Sequence, residues 1–126
     1  MARFIARVLG ARGRTLSIYD TKCVISTTVT PGSILAGNAT DGEKTIFLKD
    51  VVGVQFKRCG LTIGYLQFET ASMQMNNKDS NTFSENTFTF EETKENNVND
   101  TMQNVYNYVV ARIEELKYEG YPASTI

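Results

Sequence analysis

The 126-residue sequence predicts an α+β fold that is mainly β, with a small antiparallel sheet closed by one C-terminal helix. Two observations predict it. Three β-type apolar runs follow one another between Lys44 and Thr70, and a Lys-Asp break and a Cys-Gly turn separate them. A long amphipathic segment then continues to about Tyr118. We expect a single domain over residues 1–126, with its core at about 13–118 and a tail at 119–126.

The N-terminal part predicts a hairpin. Residues 15–19 alternate between polar and apolar, Asp20-Thr21 turns the chain, and residues 22–27 continue as a second strand. The spacing of the apolar residues before it favours a short helix, with a strand as the alternative; these are Phe4, Ile5, Val8 and Leu9. Pro and Gly mark residues 30–42 as a loop, in which residues 33–36 could form one helical turn.

The central segment predicts two paired strands. Val52, Val54 and Phe56 alternate with polar residues or glycine, as in a half-buried strand. The next apolar residues change parity at Gly64, between the pair Leu61 and Ile63 and the pair Leu66 and Phe68. A β-bulge or sharp bend at Gly64 would bring both pairs to one side, as at the corner of a small barrel. Residues 71–85 predict a weak strand and a loop, and residues 87–90 another strand.

The C-terminal helix has the strongest pattern. Its apolar stripe has the period of an α-helix and consists of Val98, Met102, Val105, Tyr106, Val109, Val110, Ile113 and Leu116. Asn96 or Asn97 could cap the start, and Gly120 followed by Pro122 ends the segment. We therefore expect a helix over residues 97–117 that packs on the sheet.

Composition and charge restrict the function classes. No run approaches the roughly 18 apolar residues of a membrane span, and Arg7, Arg12 and Arg14 interrupt what would be a signal peptide. The net charge of −1 argues against a dedicated nucleic-acid binder. Residues 1–63 nevertheless carry +5 and residues 64–126 carry −6. This asymmetry indicates either a basic face for an anionic partner or an ordinary solvated surface. Two cysteines do not form a secreted disulfide framework, so we expect a cytoplasmic protein with reduced thiols.

The residue types that enzymes use for catalysis are sparse. The sequence has no histidine, which excludes Ser-His-Asp, Cys-His and histidine-based metal sites. Of the two cysteines, Cys23 falls within a strand pattern and should pack as a small apolar group. Cys59 lies in a turn beside Lys57 and Arg58 but has no histidine to act as its base. We expect no enzymatic activity, no catalytic residues, no metal and no cofactor.

Two further patterns suggest ligands but have plainer interpretations. Residues 37–45 nearly spell a phosphate-binding P-loop, but Glu43 precedes the lysine and a strand pattern follows where a helix is required. Tyr65, Phe68, Phe88 and Phe90 lie on strands, as base-stacking aromatics do. The RNP1 pattern is missing and these residues follow the apolar alternation, so we expect them in the core.

Four segments resemble an uncharacterised family of bacterial and phage PH-like domains over about residues 13–115. They are KTIFLKDV from Lys44, VQFKRCG from Val54, GYLQF from Gly64 and ENTFTF from Glu85. The resemblance implies a curved antiparallel sheet or partly open barrel of about seven strands, closed at one end by the C-terminal helix. It implies no catalytic residues and no ligand. Family members often carry a helical SHOCT module, for which the sequence after the helix leaves no obvious room.

Two function hypotheses follow. The first is a non-enzymatic PH-like interaction or scaffold domain that binds a protein partner or a second copy of itself through a sheet edge or helix face. The alternative is an anionic-ligand module, for a lipid headgroup or a nucleic acid. Some PH domains bind phosphoinositides through basic residues near the first hairpin, which here would be Lys22 with Arg12 and Arg14 before it. Lys57 and Arg58 complete the basic candidates of this hypothesis.

Overall fold

The computed structural model describes residues 2–11, 13–27, 42–71, 86–92 and 97–118. These residues form seven strands, a 3-10 helix and one long helix. In chain order they are β1 (Phe4–Leu9), β2 (Arg14–Tyr19), β3 (Lys22–Thr27), β4 (Gly42–Phe47), the 3-10 helix (Leu48–Asp50), β5 (Val51–Lys57), β6 (Gly64–Thr70), β7 (Thr87–Phe90) and α1 (Val98–Tyr118). The prediction of an α+β fold that is mainly β, with one C-terminal helix, is confirmed.

The strands form two antiparallel sheets, with the orders β1-β2-β3-β4 and β5-β6-β7. Within the described ranges the two sheets do not join into a closed barrel. The predicted hairpin is confirmed: β2 pairs with β3 from Arg14 opposite Thr27 to Ile18 opposite Cys23, and Asp20-Thr21 turns the chain. This pairing buries Cys23 completely, as expected of a small apolar side chain.

The N-terminal segment is a strand, so the favoured expectation of a short helix is wrong. β1 pairs with β2 from Phe4 opposite Tyr19 to Leu9 opposite Thr15, and its register shifts between Phe4 and Ala6. Such a shift changes which residues face inward, and it gives a strand an apolar spacing that resembles that of a helix. Pairing with β2 also supplies the backbone hydrogen bonds that a helix would otherwise form internally.

The expected β-bulge or sharp bend within a strand at Gly64 is also absent from the described pairing, because the strand only begins at that residue. β6 begins at Gly64 and pairs with β7 without a register shift, from Gly64 opposite Phe90 to Gln67 opposite Thr87. Leu61 and Ile63 belong to the preceding turn, and Leu61 is fully exposed. The change in apolar parity therefore marks the passage from turn to strand.

The irregularity of this sheet lies in β5. The register of β5 against β6 shifts between Val51 and Gly53. Val51 is buried, whereas 61 % of Val52 is exposed, so the expectation that Val52 shares the inner face with Val54 and Phe56 is wrong. A bulge reverses the side-chain alternation that the sequence pattern assumes.

The two sheets meet beside β7. The Ala11 N–H donates to the Thr89 carbonyl at 2.9 Å. Gly10 packs so closely there that a Cβ would lie 2.3 Å from the Thr89 oxygen. Phe68, Phe88 and Phe90 are completely buried, which confirms that they are core residues, while Tyr65 is half-buried.

The helix α1 confirms the segment predicted at residues 97–117. Val105 and Val109 are buried, and Ile113 packs partly buried against the core. The carboxylate of Glu92 accepts from the Asn99 N–H at 3.4 Å in the first turn, while Asn96 lies outside the described residues.

The expected turn at 33–36 and nearly all of segment 71–85 also lie outside the described residues. The P-loop-like segment ends inside β4, which confirms that a strand follows it.

Candidate functional site

The basic residues selected from the sequence have different environments. Arg14 is buried, and its Nη1 donates to the Thr87 carbonyl at 2.8 Å. Desolvation by burial lowers the pKa of Arg14 below its ordinary value. Its guanidinium therefore links β2 to β7 in the interior. Arg12 lies outside the described residues.

The other three candidates make local contacts. Lys22 places its Nζ 5.2 Å from the centre of the Tyr19 ring, at the β2–β3 turn. Lys57 donates to the Thr62 hydroxyl within the β5–β6 turn. Arg58 forms an ion pair of 3.3 Å with Asp100, and both side chains are at least half exposed. Exposed ion pairs of this kind contribute at most about 1 kcal/mol.

These candidates do not converge on one surface. Arg58 lies against Asp100 in the first turn of α1. The β2–β3 turn, which carries Lys22, lies at the other end of the helix, since the Arg112 Nε donates to the Asp20 carbonyl at 2.6 Å. A rise of 1.5 Å per residue separates Asp100 from Arg112 by about 18 Å along the helix axis.

Cys59 is held by a side chain that the sequence interpretation did not select. The side-chain amide of Asn99 accepts from the Cys59 N–H at 2.9 Å and donates to the Cys59 carbonyl at 2.9 Å. Asn99 is itself buried at the start of α1. The amide pairs with the turn as a neighbouring strand would, and so joins the β5–β6 turn to the helix. The one sequence signal was a polar residue directly after Val98, the first residue of the apolar stripe.

A groove of about 300 Å³ with apolar lining residues lies between β5 and α1 and is hereafter the helix–β5 groove. One wall consists of four consecutive strand residues, Val51 to Val54. The opposite wall is a stripe along α1, formed by Tyr106, Val110, Ile113, Glu114, Lys117 and Tyr118. Val52 and Tyr118 are the most exposed apolar members, at 61 % and 58 %.

The strand wall presents a backbone edge. Val51 to Val54 line the groove together across the register shift between Val51 and Gly53, which interrupts the usual alternation of side chains. In the sheet order, β5 is the outer strand and pairs only with β6 among the described strands. Its outer edge therefore has no described strand beside it, and the Val51 N–H at the start of this edge donates to the Leu48 carbonyl.

A second groove, of about 470 Å³, adjoins the first and is hereafter the lysine groove. It lies where β4, the 3-10 helix and the end of α1 approach one another, and Lys44, Lys49 and Lys117 line it. Asp50 is the one carboxylate among its described lining residues. Val52 and Lys117 line both grooves, so the two are neighbours on the surface.

Within the described ranges, no group of three or more cysteine, aspartate or glutamate side chains is arranged to hold a metal ion. None of the helices in the described part of the chain is both long and apolar enough to cross a membrane. No match to the chain is found among models of protein families, curated proteins or solved structures.

Proposed function

We propose that this protein is a non-enzymatic PH-like interaction domain that binds an extended peptide segment of a partner protein along the outer edge of β5. The observation that supports this most directly is the helix–β5 groove, which combines a strand edge that no other described strand covers with exposed apolar side chains. Edge backbone groups provide affinity for an added strand, and the neighbouring pockets provide selectivity for its alternate side chains.

The strand order supports the PH-like part of the proposal. Antiparallel sheets of four and three strands precede a single C-terminal helix, in the order that the family resemblance implies. Backbone and side-chain hydrogen bonds from Ala11 and Arg14 to β7 hold one end of the two sheets together.

The dimensions of the groove favour one extended chain as its occupant. Tyr106 and Lys117 are eleven residues apart on α1, which corresponds to about 16 Å of helix axis. An extended chain rises about 3.3 Å per residue, so about five residues span that length. The helix forms the opposite wall and limits the room beside β5 for a second folded sheet. These features support a single strand as the occupant.

The anionic-ligand alternative receives less support. Arg14 is directed into the interior, Arg58 is paired with Asp100, and Lys22 follows the turn that Arg112 contacts, about 18 Å farther along the helix axis than Asp100. A lipid headgroup or a nucleic acid needs several cations that converge on one site. The described candidates lack that convergence.

Selection from a random peptide library of about ten residues tests the proposal, since that length exceeds the groove. The full-length protein serves as bait, and isothermal titration calorimetry measures the affinity of the enriched peptides. Val52→Glu and Val110→Glu place a charge on each wall of the helix–β5 groove. Each should weaken binding about tenfold or more, as expected for a residue central to an interface.

Leu61→Glu is the matched control, because Leu61 is fully exposed in the β5–β6 turn and does not line the groove. Circular dichroism should show all three variants to be folded. The proposal is wrong if no peptide is enriched, or if Val52→Glu and Leu61→Glu affect binding equally. An oligomer that dissociates in the Val52→Glu variant would instead identify a second copy of the chain as the occupant.

A further inference from the structure

We infer that the helix–β5 groove selects a peptide with an aromatic side chain, and that this aromatic ring stacks on Tyr106. The inference rests on the proposed function and specifies the chemistry of the bound peptide. Tyr106 is thereby the residue that determines this specificity.

A series of stacked rings leads from the core to the groove. Phe88 stacks on Phe90, with ring centroids 6.2 Å apart and planes inclined by 28°. Phe90 stacks on Phe56 at 6.3 Å and 27°, and Phe56 stacks on Tyr106 at 5.3 Å and 20°. Phe88 and Phe90 are completely buried, whereas Phe56 and Tyr106 are half-buried. Among the described residues, the series therefore begins in the core and ends at Tyr106.

The contacts of Tyr106 indicate which side of its ring is turned to the groove. Phe56 covers one face of the ring and does not itself line the groove, whereas Tyr106 does. Tyr106 therefore lies between Phe56 and the groove. Stacked aromatic rings prefer centroid distances of about 4.5–7 Å. A ring of the bound peptide would extend the series at such a distance from Tyr106, on the side away from Phe56.

The residues around Tyr106 suit an apolar ring. Val110 follows one turn later on the same side of α1. Val54 is the nearest residue of the strand wall, because Phe56, two residues later on β5, stacks on Tyr106. Glu114, the first charged residue of the helix wall, lies about 12 Å farther along the helix axis. The Tyr106 end of the groove is therefore its apolar end.

The strand wall leaves space for a large side chain. Gly53 lines the groove between Val52 and Val54 and has no side chain. A glycine inside a strand often marks a place where a ligand approaches the backbone closely. The ring of the peptide can therefore approach the backbone at Gly53 while it stacks on Tyr106.

The peptides enriched on the wild-type protein provide the first test. We expect them to share an aromatic residue at one position. Replacing that residue by leucine keeps an apolar side chain and removes the ring. The replacement should weaken binding about two- to tenfold, as expected for the loss of a stacked pair in addition to the area it buries.

A double-mutant cycle provides the second test. Tyr106→Leu should weaken binding of the aromatic peptide about as much and should not further weaken binding of the leucine peptide, because both changes remove the same pair of rings. Tyr106→Phe keeps the ring and should bind within about twofold of wild type. Tyr108→Leu is the matched control, because Tyr108 also packs partly buried against the core from α1 but does not line the groove. Its affinity should equal that of wild type.

Tryptophan fluorescence tests the inference on the wild-type protein alone. The chain contains no tryptophan, so a peptide with tryptophan at the aromatic position supplies the only indole of the complex. Its emission should shift to shorter wavelength on binding, because the groove shields the indole from water. The control peptide keeps its original aromatic residue and carries tryptophan at one terminus, where the shift should be smaller.

The outcomes separate the inference from the proposed function. Enriched peptides that lose binding with Val52→Glu but share no aromatic residue would overturn the inference alone. Additive losses in the double-mutant cycle, or an unshifted tryptophan emission, would also overturn it alone. The fluorescence result decides the inference if Tyr106→Leu does not fold. Absence of any enriched peptide would overturn both the inference and the proposed function.

Discussion

Replacing Gly64 by alanine should destabilise the domain because β6 begins there in close contact with its neighbours. A Cβ on Gly64 would lie 2.6 Å from the Cys59 nitrogen, 2.6 Å from the Phe90 ring and 2.8 Å from the Lys57 carbonyl oxygen. Relaxed carbon contacts are about 3.5–4.0 Å, so these atoms must move by roughly 1 Å. Two of them are backbone atoms, and the Cys59 N–H is already held by Asn99.

Overpacking of this kind costs about 1–3 kcal/mol, and the lower entropy of the unfolded alanine variant offsets about 0.4–1 kcal/mol of that cost. We therefore expect Gly64→Ala to lower the free energy of unfolding by about 1–2 kcal/mol and Tm by about 4–8 °C. Urea and thermal denaturation followed by circular dichroism measure both quantities.

Gly60 provides the matched control within the same turn. A Cβ on Gly60 would meet no atom within 4 Å. Gly60→Ala should therefore leave stability unchanged or raise it by a few tenths of a kcal/mol. If Gly64→Ala were as stable as Gly60→Ala, the close approach of the turn to β6 would not hold, and steric crowding would be refuted as the reason for a glycine at position 64.

Two further predictions concern the core. Val109→Asp should prevent folding, because Val109 is completely buried and an unpaired buried charge costs several kcal/mol, comparable to the whole stability of a small domain; a cooperative thermal transition near that of wild type would contradict this, and the exposed Leu61→Asp is the control. Burial raises the pKa of Cys23 to about 12, above the ordinary value of about 8.5. Above about pH 8.5 the Cys23 thiol loses its proton in the unfolded state but keeps it in the folded state. Its contribution to the free energy of unfolding is therefore fully present below about pH 8.5 and is lost as pH rises towards 12. Urea denaturation from pH 8 to pH 10 should show a steeper loss of stability for wild type than for Cys23→Ala, and equal slopes would contradict the prediction.

The elements with strong local patterns could be predicted from the sequence. The stripe through Val105 and Val109 has the period of a helix, and the alternation on both sides of Asp20-Thr21 has the period of a strand. Both patterns depend only on residues that are close together in the sequence. The structure of residues 4–9 depends instead on pairing with β2, and a register shift makes the apolar spacing of β1 ambiguous. Pairing between segments is a tertiary effect that local propensity does not specify.

Motif analysis could not predict the lysine groove for a related reason. Lys44, Lys49 and Lys117 come from β4, the 3-10 helix and the end of α1. No short motif contains them, and up to 73 residues of sequence separate them. The basic residues selected from the sequence form two groups along the chain, Arg12 to Lys22 and Lys57 with Arg58, but Arg14 is buried and Arg58 is paired with Asp100. Proximity in sequence is a poor guide to a surface that several elements build together.

The register shift in β5 connects the fold to the proposed interaction. In an uninterrupted alternation Val52 would share the inner face with Val54, and its side chain would be covered. The shift between Val51 and Gly53 instead leaves Val52 exposed at the junction of the two grooves. Bulges also disturb the local pairing of a strand and redirect its side chains, and they occur often at sheet edges. The register shift that interrupts the predicted alternation therefore leaves an apolar side chain exposed beside the helix wall, where an added strand would contact it.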